Sequence, residues 1–172
     1  PKDLQEEMRK TFFDDYKSEI TAAYADPNFK GSETLNYASE SNVLIVSNTG
    51  RYLSLGFNNY SYSGGAHGLY GTTLKTFDMQ QKKLVTLQDI FKDGYPNFLN
   101  AALTRACRRH FNLKSTMPLS EVLFEDILVF NNNFAYTPKG LLFNYAPYEI
   151  AAYAYGEIEL FVPFEEMKDF LK

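Results

Sequence analysis

Tryptophan is absent from the 172 residues, and cysteine and histidine are nearly so: Cys107 stands alone, and His67 and His110 are the two histidines. A single cysteine excludes an intramolecular disulfide framework. Two histidines far apart in sequence, neither with a histidine or carboxylate at ligand spacing, give no zinc signature, and no metal or cofactor is expected. No run approaches the about 18 consecutive apolar residues of a membrane-crossing helix. Net positive charge is missing as well. Seventeen basic against 21 acidic residues leave a formal charge of -4, which argues against a nucleic-acid module with its basic stripe. No secretory signal is visible, and the chain opens on Pro1-Lys2-Asp3 instead of methionine. That start fits a processed chain from which an export signal or lipid anchor has been removed.

What the chain has is aromatic mass: 13 Tyr and 15 Phe. Tyrosine pairs an apolar face with a hydrogen-bonding tip, which suits half-buried sheets and binding surfaces alike. The length fits one domain, or one domain with an appendage, and supports a core without staples.

Residues 3–25 read as a helix, with Leu4, Met8, Phe12, Tyr16, Ile20 and Tyr24 at every fourth place, widened by Phe13 and Ala23. A strict spacing of four winds around a 3.6-residue helix instead of holding one face. From about 33 to 86 the period changes to two. Leu53, Leu55 and Phe57 are expected inward, and Tyr52, Ser54, Asn58, Tyr60 and Tyr62 on a half-covered outer face. The strands should form an antiparallel meander. Thr86 and Asp89 have capping-box spacing. A helix is expected from Pro96 to about Asn112, with Leu99, Leu103, Ala106 and Cys107 on its apolar face and Arg105, Arg108 and Arg109 opposite. Residues 119–130 could make one irregular amphipathic helix or two short pieces, and the helix is favoured. A hairpin should follow around Pro138-Lys139-Gly140, then a strand at 156–162 with Glu157 and Glu159 outward. A closing helix carrying Phe164, Met167, Phe170 and Leu171 completes the chain. The class is α+β, with a mostly antiparallel sheet packed with helices.

The densest chemistry lies in Tyr60-Ser61-Tyr62-Ser63-Gly64-Gly65-Ala66-His67-Gly68. Successive glycines permit positive φ and close approach of a ligand or another backbone. No Lys-Ser or Lys-Thr follows, so this is not a phosphate cradle. His67 has three open roles: locking the loop, contacting a ligand, or general base. Ser61 and Ser63 lack a nucleophile elbow, and Cys107 falls on the buried side of its helix, a poor setting for a thiolate. The arginines on the same helix could grip an anion, although solvated helix faces often look like this. A second unusual segment, Tyr145 to Gly156, sets four tyrosines and Glu149 between two strands, more aromatic than a solvated connector requires. It is either a packed corner or a second wall of a site. Paired carboxylates among Glu149, Glu157 and Glu159 leave glycoside chemistry open.

Tyr62-Ser63-Gly64-Gly65-Ala66-His67-Gly68, Leu87-Gln88-Asp89-Ile90-Phe91, Gly140-Leu141-Leu142-Phe143, Tyr148-Glu149-Ile150-Ala151, Gly156 and Val162-Pro163-Phe164 together resemble the RsiV-like C-terminal domain, a bacterial envelope domain of unknown function. The likeness covers roughly residues 50–172. Residues 1–49, the N-terminal helix and first strands, would be the remains of a companion domain. One departure is Ala152, where the family often has proline. Family members occur in the extracytoplasmic parts of anti-sigma factors that sense lysozyme, and beside peptidoglycan deacetylase modules, where another module performs the chemistry. The resemblance therefore implies an exported, non-catalytic module, periplasmic, surface-held or secreted. It would bind a lysozyme-like protein or a peptidoglycan-type glycan through Tyr62, Gly64, Gly65, His67, Tyr148, Glu149 and Tyr153. Two other readings stay open: a small glycan hydrolase with His67 and Glu149 as an acid-base pair, and a purely structural ectodomain.

Overall fold

The computed structural model describes residues 2–29, 31 and 35–172. Two compact units are present: the N-terminal region through Glu40 together with Tyr60–Leu69, and Ser41–Asn59 together with Tyr70–Lys172. The elements are α1 (Lys2–Ala25), β1 (Tyr37–Asn48), β2 (Tyr52–Ser63), β3 (Leu69–Asp78), β4 (Lys83–Leu84), α2 (Leu87–Ile90), α3 (Tyr95–His110), β5 (Phe134–Thr137), β6 (Gly140–Tyr145) and β7 (Ile158–Pro163). They build two antiparallel sheets, ordered β1-β2-β3-β4 and β5-β6-β7, and the class is α+β.

In the first unit, α1 ends before Asp26-Pro27, as the avoidance of helix ahead of proline requires. Its fourfold stripe does wind. Phe12, Tyr16 and Ile20 are half-buried, whereas Met8 and Tyr24 at the two ends are 60% and 69% exposed. The side chain of Leu4 and residues 33 and 34 of the expected first strand lie outside the described residues. Tyr37 receives the rings of Phe12 and Tyr16 at 6.5 and 5.1 Å, so aromatic contacts hold this helix in its unit.

The core lies in the second unit. α3 packs against β7, and Leu99, Leu103, Cys107, Leu141, Phe143, Leu160 and Val162 are fully buried there. Pro96 sits in the first turn of α3. The box at Thr86 is formed: Asp89 Oδ2 accepts from the Thr86 N–H and hydroxyl, each at 2.9 Å. Gly140 opens β6 where a Cβ would lie 2.2 Å from the carbonyl oxygen of Val162, so only glycine lets β6 pass β7 this closely.

Four expectations need correction. On β2 the buried positions are Ser54 and Gly56, while Leu53, Leu55 and Phe57 are half-buried and outside the core cluster. A closed polar ring explains the reversal. Ser54 Oγ donates to the Tyr136 carbonyl at 2.8 Å, and the Tyr136 N–H donates to Thr76 Oγ1 at 3.0 Å. That leaves the Thr76 hydroxyl to donate to Ser54 Oγ at 2.9 Å, so both buried hydroxyls are satisfied without water. Residues 119–130 form a single 3-10 turn, Leu119–Glu121, followed by irregular chain. There Asp126 Oδ1 accepts the Ser120 N–H and the Ile150 carbonyl takes the Phe124 N–H, which diverts donors a helix would need. The closing helix takes 3-10 form, in two turns at Phe164–Glu166 and Lys168–Phe170, with Met167 fully buried between them. Glu157 does not face outward; it turns back onto β3.

That last contact belongs to a larger device. Among the described residues, β4 pairs with β3 only at Phe77 and Asp78, leaving the earlier part of that edge without a strand. Side chains take its place. Asn133 Oδ1 accepts the Leu74 N–H at 2.6 Å and its Nδ2 donates to the Thr72 carbonyl at 2.9 Å. Glu157 Oε1 accepts the Thr72 N–H at 2.5 Å, and Asn144 Nδ2 donates to that same oxygen at 2.8 Å. Asparagine and glutamate side chains thus supply the ladder bonds a neighbouring strand would have made.

Candidate functional site

The residues singled out by sequence fall into two groups, one in each unit. In the first unit, Gly64 and Gly65 take φ of +92° and +93°, a pair of left-handed residues that L side chains avoid. Tyr62 reaches over this turn and donates its hydroxyl to the Gly65 carbonyl at 3.0 Å. His67 is exposed, and its Nδ1 lies 3.1 Å from the Gly68 carbonyl. Gly68 is buried under the Tyr60 ring, whose nearest atom would lie 2.5 Å from an added Cβ. Tyrosines on the preceding strand therefore fold the glycine turn back on itself.

In the second unit the corner after β6 brings Tyr148, Glu149 and Tyr153 together. Tyr148 is 52% exposed and holds φ +69°, a left-handed conformation unusual for a side chain of its size. Glu149 holds it there. Its N–H donates to the Ala146 carbonyl at 3.0 Å, its Oε2 accepts the Ala146 N–H at 2.8 Å, and its Oε1 accepts from Asn131 Nδ2 at 2.8 Å. Both carboxylate oxygens are thereby engaged in closing the turn. The Tyr148 and Tyr153 rings lie 5.4 Å apart at 36°, and Tyr70 meets Tyr153 edge-on at 5.7 Å. Gly156, at φ +69°, passes beneath the Tyr70 hydroxyl, 3.2 Å from where a Cβ would stand. Ala152 has φ -62°, the value proline would impose, so the departure at this position leaves a proline-like backbone.

Two participants in this cluster were not among the predicted site residues. Tyr70 supplies the third ring, and Glu157 anchors Thr72, two residues further along β3, and Asn144. Tyr70 shares the parity of Thr72 and the buried Leu74, which was a usable signal for its face; nothing in the sequence announced the turn of Glu157. Beside Glu149 a cavity of about 240 Å³ opens between Leu123, Phe124, Ile127, Val129 and Ile150. Phe124, Ile127 and Val129 are 57%, 71% and 57% exposed, so this rim is an apolar surface.

The other chemical candidates are accounted for by internal bonds. Arg105 and Arg109 both pair with Glu166, at 3.3 and 3.0 Å, and Arg108 donates to the carbonyls of Lys114 and Met117. Cys107 is fully buried, and burial pushes its thiol up to about 11, so it stays protonated at neutral pH. His110 is exposed and meets Phe111 edge-on at 4.7 Å. Among the described residues, no helix is long and apolar enough to cross a membrane.

Known proteins match in two segments. The family described as "Protein of unknown function (DUF3298)" matches residues 88–165, and the family described as "Deacetylase PdaC" matches residues 2–70. No curated protein matches the chain. A crystal structure of a DUF3298 family member from Bacteroides fragilis superposes with a TM-score of 0.89 at 24% identity, over 100% of this chain and 70% of that one. A DUF3298 family protein from Pseudomonas aeruginosa superposes with a TM-score of 0.67 at 22% identity, over 79% of this chain and 62% of that one. At such identity the structures establish a shared fold. Taken with the two family matches, they make the chain similar to a DUF3298 domain preceded by a PdaC-associated segment.

Proposed function

We propose that the protein is a non-catalytic, extracytoplasmic binding module of the bacterial cell envelope, of the RsiV-like kind, and that it recognises a peptidoglycan-type glycan. The observation that carries this reading is the tyrosine cluster of the second unit, in which exposed Tyr70 and Tyr148 flank half-buried Tyr153 beside Glu149. Flat rings with hydroxyl tips stack on the apolar faces of sugar rings and hydrogen-bond their edges. The left-handed Tyr148 is kept in place by bonds that engage both oxygens of Glu149, and a carboxylate so occupied serves to position, whereas a general acid or base must exchange its proton. The segment's likeness to a family named for a deacetylase supports an envelope location. The apolar rim at Phe124, Ile127 and Val129 favours a second reading, in which the partner is a lysozyme-like protein.

Calorimetric titration with soluble peptidoglycan fragments and, separately, with a lysozyme separates these readings. Glycan binding that falls about 5–30-fold in Tyr153→Ala, with the melting temperature of the variant within a few degrees of the parent, is expected. Lysozyme binding lost in Ile127→Asp would instead favour the protein reading. Absence of binding to both would overturn the proposal, and release of reducing sugar or acetate by the pure protein would overturn its non-catalytic part.

A further inference from the structure

A second cavity lies wholly in the first unit, an open groove of about 400 Å³ between α1 and the facing ends of β1 and β2. That volume is within the range of small-molecule sites. Its walls are the half-buried rings of Phe12, Tyr37 and Tyr62. Between the rings stand hydroxyls: Ser18 on the helix, Ser39 on β1, and Ser61 and Ser63 on β2. Among the described residues, its charged groups are Asp15 and Glu19, one helical turn apart on α1, and neither lysine nor arginine lines it.

We infer that this cavity is a binding site for an amino sugar, a hydroxylated ring bearing a free ammonium group. Each part of the lining selects a feature of that ligand. Aromatic faces attract cations and pack on the apolar face of a pyranose. Two carboxylates with no basic side chain among the described lining residues favour an ammonium and repel carboxylated or phosphorylated sugars. The serines and tyrosines donate and accept, which matches ring hydroxyls and is wasted on the methylene stem of a lysine. Tyr37 also donates to Glu19 Oε2 at 2.5 Å, a bond that orients the carboxylate and, with the Glu19 charge, holds the phenol protonated up to about 12. Tyr62 joins the site to the glycine turn through its bond to Gly65. The inference goes beyond the tyrosine-cluster reading and does not depend on it.

The experiment is titration of the whole chain with a glucosamine oligomer, the N-acetylglucosamine oligomer of equal length, and an oligolysine of equal charge. Asp15 and Glu19 are exposed, so Asp15→Asn/Glu19→Gln should keep the melting temperature of the parent. Glu165→Gln, also exposed and outside the cavity, serves as the charge control. The glucosamine oligomer is expected to bind at least tenfold more tightly than either competitor. The double variant should lose that preference and Glu165→Gln should keep it. Equal binding of the acetylated oligomer, equal binding of oligolysine, or an undiminished preference in the double variant would each overturn the assignment. Tyr37→Phe gives an independent check: a folded variant with unchanged affinity would remove the tyrosine from the site.

Discussion

Asn133→Ala removes the side chain that stands in for a strand along the open part of β3. Three hydrogen bonds go with it: the Leu74 N–H to Oδ1 at 2.6 Å, and Nδ2 to the carbonyls of Thr72 and Asn144 at 2.9 and 3.0 Å. The three losses are unequal. Thr72 O keeps a bond from Asn144 Nδ2 at 3.3 Å, and Asn144 O keeps one from Asn131 Nδ2 at 2.9 Å. The Leu74 N–H, in a residue 2% exposed, keeps no described acceptor. A stranded buried donor costs about 2 kcal/mol, and each weakened carbonyl adds about 0.5–1, for about 3–4 kcal/mol in all. In a chain of this size that lowers the melting temperature by roughly 6–16 °C. Urea unfolding measures the free energy, and hydrogen exchange followed residue by residue should show the Leu74 amide losing protection first. Asn133→Asp keeps an acceptor for Leu74 but sets a carboxylate oxygen against the carbonyls of Thr72 and Asn144, so it should preserve protection of the Leu74 amide without restoring the lost stability. A loss under about 1 kcal/mol, within the range of ordinary surface changes, together with an unaltered Leu74 amide, would refute the substitution-for-a-strand account.

Gly140→Ala would drive a methyl group into the Val162 carbonyl, so β6 and β7 must separate; loss of more than about 3 kcal/mol, or failure to recover folded protein, is expected on urea unfolding. Asp89 is held down to about 2, chiefly by the hydrogen bond from Lys83 and then by Thr86. A carboxyl depressed in the folded state stabilises above its unfolded value near 4 and loses that contribution as pH falls from about 4 through about 2. The melting temperature of Asp89→Asn should therefore fall less steeply than that of the parent across this window, and parallel curves would contradict the assignment. Cys107, buried and raised to about 11, should resist iodoacetamide at pH 8 in the folded protein and react fully in denaturant, as mass spectrometry would show.

The elements most legible in the sequence were those with strong local signals. Asp26-Pro27 stopped α1, Thr86 with Asp89 opened α2, Pro96 sat in the first turn of α3, and Ile158, Leu160 and Val162 faced inward by simple alternation. Two of the misreadings share one physical cause, long-range polar pairing. Ser54 is buried because the Tyr136 carbonyl, 82 residues away, accepts a hydrogen bond from its hydroxyl. Glu157 faces inward because Thr72, 85 residues away, offers an N–H. No window of neighbouring residues contains those partners. Leu119 to Phe130 had helical spacing, yet bonds to Asp126 and Ile150 outweighed a pattern that buries only Leu119, Leu123 and Leu128. The candidate site followed the same division. Tyr148, Glu149 and Tyr153 share a short segment and were found together, whereas Tyr70 joins them through the fold alone.

The tyrosine cluster carries the proposed function, and its most direct test is the affinity of peptidoglycan fragments for the parent and for Tyr70→Ala, Tyr148→Ala and Tyr153→Ala, measured by calorimetry alongside each melting temperature. Removing one stacked ring should weaken binding by roughly 1–2 kcal/mol, about 5–30-fold, on the scale of aromatic and interface contacts. Tyr148→Ala and Tyr153→Ala should do so with their melting temperatures within a few degrees of the parent. Fragments that fail to bind the folded parent, or that bind all three variants as they bind the parent, would contradict the account.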